Sequence, residues 1–150
     1  MKKFRFSLET VLDYKQQVLD ALQAEHGAIL ARVQAQEQVL EDLEQQHRDL
    51  DAEFTQRKLE GISILDAMHY EQYLRAAERE IEKAAQLLEQ LRQEEERKRA
   101  QVVAAKQDTS SLEKLKEKKL DSYNKAVQKS EEAMIDEFVS MTRAMAAQSA

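Results

Sequence analysis

Arg57-Lys58-Leu59-Glu60-Gly61-Ile62-Ser63-Ile64-Leu65-Asp66 is the stretch that decides the fold. Arg57 and Lys58 suit the last turn of a helix, where cations meet the negative end of the helix dipole. Gly61 accepts the left-handed backbone on which helices commonly stop. Ser63 followed by Asp66 has the spacing of a capping box that opens a new helix. A stop and a start only two residues apart predict a tight helical hairpin. The turn is placed at about 61–63.

On both sides of this turn the apolar residues follow a heptad rhythm. Upstream, alternating steps of four and three run through Leu8, Leu12, Lys15, Leu19, Leu22, His26, Ile29, Val33, Gln36, Leu40, Leu43, His47, Leu50, Phe54 and Arg57. Downstream they run through Ala67, Tyr70, Leu74, Ala77, Ile81, Ala84, Leu88, Leu91, Glu95, Lys98, Val102 and Ala105. An apolar seam sustained this long predicts coiled-coil helices. Neither helix can bury its stripe alone, so the two must pack antiparallel. The predicted fold is all-α, a long antiparallel two-helix coiled-coil hairpin with unequal arms. Helix 1 spans about 8–60 with Ser7 as its N-cap, and helix 2 about 64–147. Gly27 carries no capping signals, so helix 1 is expected to run through it. Asp108-Thr109-Ser110-Ser111 are poor helix formers, and Ser110 with Glu113 could cap a fresh start. A break there and a continuous helix both remain open at this stage. His26, His47, Lys15, Gln36 and Arg57 interrupt the seam with polarity, which weakens a coiled coil but fixes its register.

Composition narrows the function. Charged residues reach 35% and aromatics only 5%, with no proline or cysteine. Such a chain buries a seam rather than a wide core, which leaves no shielded volume for catalysis. The net charge of −6 provides no overall basic field for nucleic acid. Without cysteine there are no disulfides or thiolate metal sites, which fits a cytoplasmic protein. His26, His47 and His69 lack the spacing of a metal site. Lys2, Lys3 and Arg5 could open a signal peptide, but Arg5, Glu9 and Asp13 interrupt the apolar region that would have to follow. No apolar run approaches the ~20 residues of a membrane span. Nothing catalytic, cofactor-binding or metal-binding is expected, and function falls to protein–protein contacts.

The unequal arms show where those contacts would lie. Folding back from Gly61 sets the start of helix 1 opposite residues near 114, so the chain beyond about 115 should overhang. Met134, Phe138, Met141 and Met145 share one face of that overhang, with Ile135 beside them. This stripe either packs back on Phe4 and Phe6 or enters a groove or ring on another protein, a task to which methionine-rich faces adapt well. Ahead of it, Lys114, Lys116, Lys118, Lys119, Lys125 and Lys129 face only Glu117 and Asp121, a local charge of +4. That run is either a solvated face or a docking stripe for an acidic protein; without interleaved aromatics it provides no stacking platform for nucleic acid. Tyr73, off the seam just after the turn, is of the rigid amphipathic type that anchors interfaces, whereas Tyr70 is on the seam and should pack.

Several landmarks carry a family resemblance. Phe4-Arg5-Phe6-Ser7-Leu8 with Val11-Leu12, then Gly61-Ile62-Ser63 and His69-Tyr70-Glu71-Gln72-Tyr73-Leu74, stand in the order found in FliJ, a flagellar type III export protein. Leu115-Lys116-Glu117-Lys118-Lys119 and Met134-Ile135-Asp136-Glu137-Phe138 resemble its distal end. The family in turn resembles the central stalk of rotary ATP synthases. The resemblance implies three partners: the hexameric export ATPase (FliI-like), the export gate protein (FlhA-like) and export chaperones. It also implies a place at the cytoplasmic face of the inner membrane, held there only through partners. The overhanging Met134, Phe138 and Met141 would meet the ATPase, and Tyr73, with Leu43 and Leu50 at a comparable level of helix 1, the gate. The equivalent stalk of a virulence-type injectisome, a prefoldin-like holdase and a structural rod are the competing readings.

Overall fold

A computed structural model describes residues 2–149 of the chain. Among the described residues there are two helices and no strand. Helix α1 spans Glu9–Glu60 and helix α2 spans Ile64–Gln148. The fold is an all-α hairpin with unequal arms.

The boundaries follow from local chemistry. Ser63 Oγ accepts a hydrogen bond from Asp66 N at 3.1 Å, and Ser63 O accepts one from Ala67 N at 3.0 Å. Ser63 is therefore the N-cap of α2, as its spacing from Asp66 predicts. Gly61 takes φ +99°, the left-handed conformation expected of the residue that ends α1. At the start of α1 the cap is Leu8 rather than the expected Ser7. Leu8 O accepts from Leu12 N at 2.8 Å, while Glu9 N donates back to Phe6 O at 3.1 Å. The preceding residues leave Phe6 buried, and this main-chain turn closes the helix end one residue later than the serine suggests.

Helix α2 passes through Asp108–Ser111 without a break. Two hydroxyls that could have favoured a turn bond backward along the helix instead. Thr109 Oγ1 donates to Ala105 O and Ser111 Oγ to Gln107 O, each at 2.9 Å. This arrangement satisfies the hydroxyls within the helix. It lets Thr109 be buried to 3% exposure on the seam face.

The chain forms two compact units, one built from Asp20–Val103 and the other from residues up to Leu19 together with those from Ala104 onward. In the first, Ile29 and Val33 of α1 pack against Leu88 and Leu91 of α2, with Leu40 alongside. Nearer the turn, the rings of Phe54 and Tyr70 stack with centroids 5.0 Å apart, and Lys58 Nζ sits 3.8 Å from the centre of the Phe54 ring. In the second unit, Leu12, Leu19 and Thr109 are buried. Glu9 pairs with Lys116 at 2.9 Å and Lys15 with Asp108 at 3.6 Å. Throughout both units, partners rise in number along α1 as they fall along α2, which is the antiparallel register the two seams require.

The residues ahead of α1 carry the covered length of α2 further than helix pairing does. Phe4 lies 5.6 Å from the Tyr123 ring, and the Tyr123 hydroxyl donates to Lys2 O. Val127 is still half-buried, whereas every residue of 128–149 is exposed. The uncovered stretch therefore begins later along α2 than the arm lengths alone place it.

The two glycines should respond oppositely to alanine. Gly27 lies inside α1, and a Cβ added there meets nothing within 4 Å. Gly27→Ala should raise stability by about 0.5–1 kcal/mol. Gly61→Ala should lower it by about 1–2 kcal/mol because of the left-handed backbone. Urea unfolding followed by circular dichroism at 222 nm measures both.

Candidate interaction surfaces

Four of the polar residues that interrupt the seam of α1, Lys15, His26, Gln36 and His47, find polar partners on α2, whereas Arg57 is exposed. His26 Nε2 lies 2.9 Å from Glu95 Oε1. From one turn further along α2, Arg99 grips the same carboxylate at 2.6 Å and 2.8 Å. Glu95 is only 7% exposed, so it is a buried charge met by two partners, as burial of a charge demands. The hydrogen bond from His26, reinforced by the Arg99 guanidinium, holds its carboxyl below the usual carboxylate range. Gln36 Nε2 donates to Ala84 O at 3.1 Å, and Lys98 Nζ reaches Glu25 at 2.8 Å. His47 Nε2 sits 3.5 Å from Glu78 Oε1, whose carboxyl is also held low, chiefly by hydrogen bonding from Arg75. The His26–Glu95 and Lys98–Glu25 pairs are matched at one register and broken by a shift of one heptad, which would set Leu88 or Val102 against His26 and Leu91 or Ala105 against Glu25. The seam histidines thus face carboxylates of α2, not each other. Glu95 and His26 both fall on the predicted seam; their pairing follows only once the two arms are laid against each other level by level.

Surfaces for other molecules must lie off this seam or beyond it. Met134, Phe138, Met141 and Met145 are 68%, 71%, 62% and 67% exposed, with Ile135 at 61%. They do not fold back on the N-terminal aromatics, because Phe6 is already buried and Phe4 is engaged with Tyr123. Tyr73 is also exposed, at 63%. Leu43 and Leu50 differ from it: both are half-buried on the seam face and offer a partner only their edges. Around the turn there is a second apolar cluster that heptad reading passes over. Leu59, Ile64, Leu65 and Met68 are all exposed, with Ile64 reaching 82%. Its signal in the sequence is four large apolar side chains that fall outside both seams within one short stretch. Tyr70 packs on Phe54, as a seam residue should; burial, followed by the hydrogen bond its hydroxyl donates to Glu53, raises its hydroxyl pKa.

No helix among the described residues is long and apolar enough to cross a membrane. The described residues hold no group of three or more His, Cys, Asp or Glu able to bind a metal ion.

The buried seam, the N-terminal segment from Phe4 onward and the exposed distal stripe all lie within one family match. The family described as flagellar FliJ protein matches residues 4–148. This chain belongs to the FliJ family. The match starts at the Phe4 that meets Tyr123 and ends at the last residue of α2, so every element described above lies within it. FliJ membership makes the chain a flagellar export-associated protein of a non-enzymatic family. No curated protein and no solved structure matches it.

The buried charge at Glu95 makes a pH prediction. The folded chain keeps Glu95 ionised to a lower pH than the unfolded chain does, since its pKa lies below the ordinary 4.5. Its contribution to stability is complete above that ordinary value and disappears as pH falls through the lower folded one. Glu95→Gln should therefore lower the melting temperature at pH 7 and flatten the acid limb of the melting curve relative to the unaltered chain. An acid limb identical in both proteins removes Glu95 from the account.

Proposed function

We propose that this chain binds the flagellar export ATPase ring as a central stalk and links it to the membrane export gate and to export chaperones. The observation that carries this reading is the free distal face of α2. Met134, Phe138, Met141 and Met145 lie on one side of a helix, each more than three-fifths exposed. A regular helix with an adaptable apolar face and no cover from its own chain suits insertion into a ring lined by several equivalent surfaces. Glu131, Glu132, Asp136 and Glu137 keep the rest of that segment soluble.

The gate contact is assigned to the other end. Tyr73 stands exposed on α2 shortly after the turn, and Met68 lies one to two turns before it. Leu43 and Leu50, half-buried on the seam at a comparable level of α1, add only their edges to that contact. With the two contacts on separate stretches of α2, one molecule can engage both partners at once. The chaperone contact is assigned to the same exposed apolar surfaces. Partners hold the chain at the cytoplasmic face of the inner membrane.

Two experiments separate the ends. Deleting residues 131–150 should abolish co-sedimentation with the export ATPase and stimulation of its hydrolysis while leaving the melting transition of the paired helices in place. ATPase affinity that survives the deletion refutes the stalk assignment. Tyr73→Ala should weaken gate binding by roughly 5- to 100-fold, the range of an aromatic anchor, with ATPase affinity unaffected. A gate titration indistinguishable from that of the unaltered chain would move the contact elsewhere.

A further inference from the structure

We propose that the distal stripe of α2 also pairs with the same stripe of a second copy of this chain, antiparallel, forming a dimer through residues of about 131–148. This inference concerns the stripe used in the stalk reading but does not rest on that reading.

Three observations point to a second copy as the occupant. The first is continuity. With 3.6 residues per turn, Tyr123, Val127, Met134, Phe138, Met141 and Met145 fall within about 60° of one another on α2. The stripe thus prolongs the face that α1 and the N-terminal segment cover up to Val127. Whatever covers it takes over where α1 and that segment leave off, and a helix fits that seam.

The second observation is self-complementarity. The spacing from Met134 to Met145 is four, three, four, and it reads the same in both directions. Turned end for end, a second copy sets Met145 across from Met134 and Met141 across from Phe138, twice over by symmetry. A closed two-fold interface requires this of a single surface.

The third is charge, which also fixes the orientation. Glu132, Asp136 and Arg143 lie on the far side of the helix and take no part. Glu137 flanks the stripe and comes near Ala144 of the other copy. Glu131 lies on the stripe itself. A parallel pair would press it against its own equivalent, whereas the antiparallel pair sets it beside Gln148, which can donate a hydrogen bond. Five apolar side chains per copy, counting Ile135, bring the interface close to the lower bound of about 1,200 Å² for specific pairing. The dimer is therefore weak and reversible, which suits a surface that must also be given up to another partner.

The absence of cysteine makes the test direct. Met134→Cys and Met145→Cys are made separately in the full-length chain, at exposed positions where neither disturbs the paired helices. Mixed in equal amounts and oxidised at about 50 μM, they should form the mixed disulfide in large excess over either homodisulfide. The unaltered chain should show concentration-dependent sedimentation between monomer and dimer over about 1–200 μM, and Phe138→Glu should remain monomeric throughout. Predominant Met134→Cys homodisulfides would establish a parallel pair and overturn the proposal. So would a sedimentation coefficient of the unaltered chain that stays at the monomer value, or dimerisation that survives Phe138→Glu. None of these measurements includes the ATPase, so their failure leaves the stalk reading standing, and failure of the ATPase test leaves the dimer standing.

Discussion

A helix paired with only one other helix has a single line along which it can leave water, and everything else in this protein depends on how that line is filled. The seam is apolar where Ile29 and Val33 meet Leu88 and Leu91. It is polar where His26 and Arg99 close on Glu95. The apolar contacts supply the drive to associate but would tolerate several registers, since one leucine resembles the next after a heptad. The polar contacts tolerate one. Sliding the arms by a heptad takes His26 away and leaves buried Glu95 with only Arg99 of its own helix, and a buried carboxylate short of a partner costs more than a displaced leucine. The seam thus divides attraction and alignment between two kinds of residue.

Heptad spacing made the fold readable. The predicted seam positions from Leu8 to Phe54 and from Ala67 to Ala105 are all buried or half-buried in the structure, whereas Arg57, the last predicted position of the first run, is exposed beside the turn. Gly61 and Ser63 end one helix and begin the next by the chemistry expected of them. Periodicity reports which face a helix buries, but not what lies opposite each position. Hence the cap moved from Ser7 to Leu8, a shift set by the main-chain turn at Phe6. Hence also Asp108–Ser111 stayed helical, because Thr109 and Ser111 found acceptors one turn behind them. Intrinsic propensity is a weak prior beside a seam that continues on both sides.

The candidate surfaces were legible to different degrees for the same reason. The stripe at Met134–Met145 follows from arm length and periodicity alone, both of which are properties of sequence. Its starting point does not, because the residues from Lys2 to Ser7 belong to no repeat and still cover α2 as far as Tyr123 and Val127. The apolar cluster at Leu59, Ile64, Leu65 and Met68 escapes heptad reading altogether, since it belongs to neither seam. Leu43 and Leu50 show the converse. Side chains that satisfy the heptad so well are committed to the other helix and have little left to offer outside it.

The segment from Lys2 to Leu8 leaves one further consequence. It has no helix of its own; Phe4 and the Lys2 carbonyl hold it to Tyr123 of α2, and Phe6 is buried beside them in sequence. Such a clasp opens at much lower cost than any turn of paired helix, because little buried surface and few backbone bonds are lost with it. The point where α2 passes from sheltered to bare is accordingly an adjustable hem. Peeling back a few residues lengthens the bare helix by several turns and leaves the zipped arms behind it intact.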